Sequence, residues 1–249
     1  MGGAMIEARA LTKVFSDRKR GPIRALDGVD FRCEPGRIFG LLGVNGAGKT
    51  TCLRMLATIL RPTSGAATVQ GFDIANESQQ VRASIGFLST ATALYGRLTA
   101  FEMVEYFGRL HGLEDSVLHP RIDALFHTLG MNEFRDRRCD KLSTGMKQKT
   151  SIARTLVHDP PVMIFDEPTL GLDVLTARTV LGFIRDCGQR GKTVIFSTHV
   201  MSEAERLCDA IGIIHGGRIL AHGSLAELRQ QTGEERLEDI FVKVAEGHI

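Results

Sequence analysis

The sequence predicts an α/β protein built around a mostly parallel sheet with crossover helices. The first observation is a set of short apolar runs of strand length that end in glycine or polar residues: RIFGLLG (37–43), PVMIFDE (161–167), KTVIFST (192–198) and AIGIIHGG (210–217). The second observation is that segments with helical periodicity separate these runs. Parallel neighbours need such crossover connections, so the alternation favours parallel strands.

Composition limits the class of protein. A chain of 249 residues with 43% apolar and 24% charged residues can bury a full core as one domain, or as one domain with a subdomain. The 31 basic and 29 acidic residues give a net charge of only +2, so we expect no nucleic-acid partner. The five cysteines are scattered without a C-x-x-C pair, so we expect reduced thiols, a cytoplasmic location and neither a disulfide framework nor a zinc site.

No apolar run approaches the roughly 18 residues of a membrane span. The N-terminal MGGAMIEARALTK lacks the basic start and the apolar block of a signal peptide. If the protein serves a membrane, we expect it to do so from the water side.

The first apolar run leads into a phosphate-binding loop. The stretch GVNGAGKT (43–50) fits G-x-x-x-x-G-K-S/T and lies between that run and the predicted helix TCLRMLATIL (51–60). The backbone N–H groups of such a loop and the N-terminus of the next helix face a phosphate, while the lysine reaches the β- and γ-phosphates and the hydroxyl binds Mg²⁺. The alternative is an ordinary glycine-rich turn with an exposed lysine. The candidate ATP-binding residues are Gly43, Asn45, Gly46, Ala47, Gly48, Lys49, Thr50 and Thr51, of which Thr50 is also a candidate Mg²⁺ ligand.

The middle of the chain is predicted to be helical. Thr99 and Glu102 form a capping-box pattern before a helix that carries Phe101, Val104, Phe107 and Leu110 on one side. We interpret residues 88–160 as a helical subdomain inserted in a single nucleotide-binding domain (1–249). The segment EERLEDIFVKV (234–244) predicts an amphipathic helix within a C-terminal helical extension at residues 225–249.

Two further apolar runs end in residues suited to catalysis. Asp166 and Glu167 follow the second run, at the edge where an open α/β sheet presents its ligands. Asp166 is a candidate Mg²⁺ ligand and Glu167 a candidate base for an attacking water. His199 follows the third run. The alternatives are loop carboxylates that only face solvent and a structural histidine.

Four motifs together resemble the ATP-binding subunits of ABC transporters. They are GVNGAGKT, LSTGMKQK (142–149), VMIFDEPTLGLD (162–173) and FSTH (196–199), and their order and spacing match that family from residue 5 to about 225. The phrases LYGRLTAFEMVEYFGRLHGL and LEDIFVKV make the chain look most like the sodium-extrusion and drug-export type. The resemblance implies a P-loop NTPase fold of the ABC type, with an N-terminal antiparallel β part and an inserted helical subdomain.

The resemblance also implies a role for LSTGM, which contains a serine-capped helix start. In this family two ATP-binding subunits form a head-to-tail dimer, and the signature motif of one closes on the ATP bound by the other. LSTGM corresponds to the usual LSGGQ, so Ser143 and Gly145 are the implied ATP contacts in trans, whereas Thr144 and Met146 depart from the pattern. By the same matching, Asp173 would lie across the dimer interface.

Further implications concern the nucleotide and the partners. Phe15 would stack on adenine, the alternative being an ordinary core residue, and His199 would contact the γ-phosphate. The implied cofactors are ATP and Mg²⁺. The implied partners are transmembrane permease subunits and a second ATP-binding subunit, with the protein at the cytoplasmic face of the membrane.

Two other functions are alternatives to an exporter subunit. A soluble ABC ATPase acting on ribosomes or DNA usually carries two cassettes in one chain or a long coiled coil, and this chain has neither. A P-loop kinase would leave the signature helix, Asp173 and His199 unexplained.

Thr90 marks a departure from the family pattern. Relatives usually have a glutamine that contacts Mg²⁺ or water shortly after the stretch matching IGFL, and here Thr90 takes that position. The threonine hydroxyl is closer to the backbone than a glutamine amide, so it would reach the ion only through a bridging water. The alternative is that Thr90 is only a loop residue.

We therefore expect Thr90→Ala to change basal ATPase activity only modestly, because Thr50, Asp166 and the phosphates still hold the ion. Steady-state ATPase assays measure the effect, with Glu167→Gln as the reference for loss of a catalytic group. A loss of activity from Thr90→Ala as large as that from Glu167→Gln would contradict this interpretation.

Overall fold

The structure is a computed structural model that describes residues 5–17, 21–89 and 93–247. The predicted Thr90 position lies outside these residues. In chain order the strands are β1 (Ile6–Asp17), β2 (Gly21–Cys33), β3 (Ile38–Leu42), β4 (Ser64–Val69), β5 (Phe72–Asp73), β6 (Ile85–Leu88), β7 (Val162–Asp166), β8 (Thr193–Thr198), β9 (Ala210–His215) and β10 (Arg218–Gly223). The helices are α1 (Lys49–Leu56), α2 (Ser78–Ser84), α3 (Ala100–Leu110), α4 (Asp115–Thr128), α5 (Thr144–Leu156), α6 (Val174–Gln189), α7 (Met201–Leu207), α8 (Leu225–Thr232) and α9 (Leu237–Ala245). Asn132–Phe134 and Cys139–Lys141 form short 3-10 turns.

The central sheet confirms the predicted α/β class. Its strands have the order β10-β9-β3-β8-β7-β6 within the described residues, and all neighbours are parallel except β9 and β10. Every residue of β3, β7 and β8 is buried, as expected of parallel strands covered on both faces. The carboxyl ends of these three strands meet at one edge, where Leu42 pairs with Thr198, and Asp166 with Ser197.

A second sheet covers the N-terminal part of the chain. Among the described residues it has the order β2-β1-β4-β5, and its neighbouring strands are antiparallel. Helix α1 packs between the two sheets, because its buried residues belong to the same apolar cluster as Ile6, Leu26 and Ile164. The antiparallel β part implied by the family resemblance is thus present.

Helices α3, α4 and α5 follow β6 and precede β7. The predicted capping box of α3 is confirmed: Thr99 Oγ1 accepts from Glu102 N at 3.1 Å, and Glu102 Oε2 accepts from Thr99 N at 2.8 Å. Leu110, expected on the same side as Phe101, is 64% exposed in the last turn. Helix α4 packs closely on α3 at Gly108 rather than at Leu110. A β-carbon on Gly108 would lie 2.2 Å from Leu118 Cδ1.

The ends of two other helices were also expected from sequence. Helix α1 ends at Leu56 rather than at residue 60, and Thr58 has a φ of 60°, outside the helical region. The amphipathic C-terminal helix is confirmed as α9, which buries Leu237, Ile240, Phe241 and Val244 against Ile211 and Ile213 of β9. The boundaries 88–160 and 225–249 remain predictions.

The cysteines and the helix lengths can be read directly from the structure. All five cysteines are free, and four are buried. Within the described ranges, each helix is too short or too polar to cross a bilayer.

Two histidines stack where α3 meets the segment after α5. The His111 and His158 rings are nearly parallel, with centroids 3.7 Å apart. His158 Nε2 lies 3.1 Å from Ile85 O, and His158 Nδ1 is buried without a partner among the described residues. Burial lowers the pKa of His158 to about 4, the proximity of His111 adds to the shift, and burial also lowers the pKa of His111.

The His158 pKa predicts a loss of stability in acid. Because the unfolded chain binds this proton near pH 6.5 and the folded chain only near pH 4, the free energy of unfolding falls as the pH falls between these values. Urea unfolding at pH 7.5 and pH 5 measures the difference. We expect His158→Gln, which keeps a donor for Ile85 O, to lose less stability between these pH values than the parent. Equal losses in the two proteins would contradict the assignment.

Candidate active site

The phosphate loop has the conformation that its glycines allow. Gly48 caps α1 with a φ of 109°, and a β-carbon there would lie 2.7 Å from Ala25 O. At Gly43 a β-carbon would lie 2.4 Å from Ile214 O. No larger residue fits at these two positions without moving the backbone. The loop therefore places its backbone at the start of α1, where N–H groups and the helix dipole favour an anion.

Lys49 is buried and extends along this loop. Its side chain is 4% exposed, and Nζ donates to Gly43 O at 2.7 Å and to Val44 O at 3.2 Å. The ammonium also lies 3.1 Å from Glu167 Oε1. A small pocket of about 170 Å³ opens here. It is lined by Ala25, Asn45, Gly46, Gly48, Lys49, Thr50, Thr51 and Glu167, whereas Ala47 is buried behind the loop. A buried cation beside a pocket is suited to an anionic ligand.

Asp166 ends β7 with a buried carboxylate. Its Oδ1 accepts from Thr50 Oγ1 at 3.0 Å and from Ser197 Oγ at 2.9 Å. Its Oδ2 is buried and has no hydrogen-bond partner among the described residues. A carboxylate oxygen left unpaired beside a threonine hydroxyl fits a hard divalent cation such as Mg²⁺. The donor set of Thr50 and Asp166 therefore fits the ion predicted from sequence.

Glu167 has its backbone in the left-handed region, with a φ of 46°. Such a conformation costs a non-glycine residue about 1–3 kcal/mol. Three contacts hold it: the N–H donates to Ser197 Oγ at 3.0 Å, Oε2 lies 3.0 Å from His199 Nδ1, and Oε1 lies beside the Lys49 ammonium. The strained backbone thus directs the carboxylate toward both the phosphate loop and His199.

The end of β8 connects most of these groups. Ser197 bonds Asp166 and Glu167, and His199 bonds Glu167. Thr198 accepts from Gly43 N through its carbonyl at 3.2 Å and donates its hydroxyl to Glu203 at 2.6 Å. Sequence reasoning named only His199 in this segment. The polar residues Ser197 and Thr198 at the end of an apolar run were the signal for the others.

The signature serine begins α5 on another surface of the chain. Ser143 is exposed and accepts from Met146 N at 3.3 Å. Asp173 caps α6 and accepts from Leu175 N at 3.0 Å and from Thr176 N at 2.9 Å. The hydrogen bonds from Thr176 lower the pKa of Asp173, which keeps it ionised.

The starts of α5 and α6 touch each other. A β-carbon on Gly145 would lie 3.0 Å from Thr176 Cγ2 and Oγ1, so the two helix N-termini meet there. None of the predicted residues Ser143, Gly145 and Asp173 lines the phosphate pocket of this chain.

Phe15 lies on β1, away from the core. Its side chain is 38% exposed, and Lys13 Nζ lies 5.2 Å from the ring centroid. The alternative of an ordinary core residue is therefore wrong. The ring does not line the phosphate pocket either.

Relatives of this chain share its sequence over most of its length. Residues 26–170 match the profile of the ABC transporter family. The chain is 41% identical over 239 residues to the ABC transporter ATP-binding protein NatA of Bacillus subtilis (strain 168), covering 96% of this chain and 97% of that protein. It is 37% identical to the probable multidrug ABC transporter ATP-binding protein YbhF of Escherichia coli (strain K12), covering 96% of this chain and 40% of that protein. It is 36% identical to the Nod factor export ATP-binding protein I of Neorhizobium galegae, and the match covers 88% of this chain and 61% of that protein.

Solved structures share the fold. The structure of an ATP-binding subunit of an ABC transporter superposes with a TM-score of 0.87 at 28% identity, over 96% of this chain and 99% of that one. A bacterial ABC transporter cassette solved as a dimer superposes with a TM-score of 0.81 at 25% identity, and the superposition covers 88% of this chain and 98% of that one. With the profile match over more than half of the chain, and with the relative that is 41% identical over nearly its whole length, the chain belongs to the ABC transporter family as an ATP-binding subunit.

Proposed function

We propose that this ATPase energises an ABC exporter by hydrolysing Mg-ATP in a dimer of ATP-binding subunits. The observation that carries the proposal is the cluster of Lys49, Thr50, Asp166 and Glu167 at the start of α1. Lys49 and Thr50 end the phosphate loop and begin α1, Asp166 ends β7, and Glu167 directly follows it. The cluster combines a phosphate cradle, a fitting metal donor set and a base.

The phosphates would lie along the loop at the start of α1. Thr50 and Asp166 would hold Mg²⁺, which supplies charge neutralisation at the β- and γ-phosphates when bound. Asp166 Oδ2, which has no hydrogen-bond partner in the described part of the chain, supports this assignment, because a buried carboxylate oxygen without a partner costs stability that a ligand recovers.

Glu167 is the proposed base. In the structure its carboxylate is shared between the Lys49 ammonium and His199. Phosphates that attract Lys49 would release one carboxylate oxygen to orient and polarise a water, while His199 holds the other oxygen and reaches the γ-phosphate.

A second chain would complete the site. Ser143, Gly145 and Asp173 lie at two helix N-termini that meet on a surface outside the phosphate pocket. Helix N-termini and a hydroxyl cap suit a polyanion, and the similar cassette solved as a dimer supports pairing of two such subunits. Phe15 is the proposed adenine contact, because its ring is partly exposed and an aromatic ring can stack on a base.

The transport role is proposed from the relatives. We propose two identical cassettes attached to transmembrane permease subunits at the cytoplasmic face, exporting sodium ions or a drug. The names of the multidrug and Nod factor export relatives support export. The proposal includes no nucleic-acid partner.

Lys49→Ala is expected to abolish stabilisation by Mg-ATP, because the main side-chain charge on the phosphates is lost. At ATP about 100-fold above its Kd the parent gains about 2.7 kcal/mol, which thermal unfolding with and without Mg-ATP detects. Lys192→Ala, which removes a lysine paired with Asp159, is the matched control and keeps the shift. An undiminished shift in Lys49→Ala would place the nucleotide elsewhere.

Glu167→Gln is expected to bind ATP but to hydrolyse it roughly 10²–10⁴-fold more slowly, because an amide cannot accept the proton. Steady-state phosphate release measures this, and light scattering with Mg-ATP follows the dimer that the slow variant accumulates. Glu133→Gln, on an exposed 3-10 turn, is the control. Parent-like hydrolysis would argue against the base, and a monomer at saturating ATP would argue against the dimer.

A further inference from the structure

Glu203 of α7 is a buried carboxylate with both oxygens engaged. The residue is 8% exposed. Thr169 Oγ1 donates to its Oε1 at 2.7 Å, and Thr198 Oγ1 donates to its Oε2 at 2.6 Å. Each carboxylate oxygen thus accepts a hydrogen bond from one threonine hydroxyl. Glu203 therefore joins the end of β8 to the turn that contains Thr169, two segments that meet only in the folded chain.

Each of these two segments is next to a residue of the proposed reaction. Thr198 directly precedes His199, and its hydroxyl also accepts from Val200 N at 3.0 Å, so the backbone is held on both sides of His199. Thr169 lies in a turn closed by Leu170 N donating to Glu167 O at 3.1 Å. A second turn, from Leu172 N to Thr169 O at 3.1 Å, leads to Asp173. Glu203 thus connects His199 with the loop that runs from Glu167 to Asp173.

Packing between α6 and α7 is open at this place. A groove of about 870 Å³ lies between them, with Thr169, Thr198 and Glu203 in its lining. At Gly182 of α6, which also lines the groove, no atom of the described residues lies within 4 Å of the position of a β-carbon. Arg185 Nη2 donates to Arg206 O at 3.1 Å and gives a second polar link between the two helices. The two helices are thus joined both by this hydrogen bond and by the apolar cluster that contains Leu207 together with Phe183 and Ile184.

Hydrogen bonds stabilise the buried Glu203 carboxylate, since no ion pair of Glu203 occurs among the described residues. A buried carboxylate is unfavourable unless such hydrogen bonds compensate for lost hydration. The two threonine hydroxyls supply this compensation, and the carboxylate in turn fixes both hydroxyls to one point.

We propose that Glu203 is a positioning residue for ATP hydrolysis, which holds His199 against Glu167 and fixes the 167–173 loop to the same point. The inference rests on the proposed function, because the reaction it positions is ATP hydrolysis. His199, Glu167 and Asp173 would then move together when the site closes.

Thr169→Val tests the hydrogen bond from Thr169 to Glu203. Valine keeps the shape and removes the hydroxyl, and the phosphate loop is untouched. We expect kcat to fall roughly 10- to 100-fold, as a misplaced catalytic group costs, with the KM for ATP within about twofold of the parent. The control is Thr179→Val on α6, whose hydroxyl donates to Leu175 O in its own helix, and its kcat should match the parent.

Glu203→Gln and Glu203→Ala test the acceptor of these hydrogen bonds. The glutamine amide can accept from one threonine hydroxyl and donate to the other, so we expect it to retain most of the kcat that Glu203→Ala loses. A residue that only stabilises the fold would lower the melting temperature without this selective loss of kcat. A kcat for Thr169→Val within twofold of the parent, or a KM that rises in step with the fall in kcat, would overturn the proposal.

A second measurement separates this inference from the proposed function. If the parent hydrolyses no ATP, the proposed function fails. The positioning role of Glu203 can then still be tested by the ring signals of His199 in ¹H–¹³C NMR spectra of the ATP-free protein. Thr169→Val should shift these signals because the contact with Glu167 changes, whereas Thr179→Val should not. Unchanged signals in Thr169→Val would reject the positioning role.

Discussion

A single buried carboxylate, that of Asp166, governs the arrangement of the active site. One of its oxygens is held by hydroxyls from α1 and β8, while the other has no partner in the described structure. Leaving a buried acceptor unpaired costs about 1–3 kcal/mol. The surrounding sheet offsets such a cost, because β3, β7 and β8 are buried along their whole length. The parallel register of these strands brings the phosphate loop, the carboxylates and His199 to one edge.

The surface formed by α5 and α6 brings two helix N-termini together. Ser143 and Asp173 each cap their own helix, yet each cap satisfies only part of the N–H groups of its first turn. The contact between Gly145 and Thr176 places two helix ends of the same polarity side by side. An anion would relieve that repulsion, and the phosphate pocket of the same chain does not include these residues.

Local sequence patterns predicted what depends on neighbouring residues. The phosphate loop, the capping box of Thr99 and the serine cap of α5 are each specified within a few positions, and each is present. The bonds of Ser197 to Asp166 and of Thr169 to Glu203 span 31 and 34 residues and depend on how β7, β8 and α7 meet, so no local pattern predicts them. The early end of α1 was also missed, because Thr58 adopts a positive φ without the glycine that usually signals it.

The left-handed backbone of Glu167 has a consequence for protein engineering. Glycine or asparagine adopts a φ of 46° more readily than glutamate, so either substitution would relieve part of the strain at this position. Either substitution would leave the buried Lys49 ammonium without its ion pair. Engineering that ranks substitutions at this position by backbone strain alone would therefore remove the residue on which the proposed hydrolysis depends.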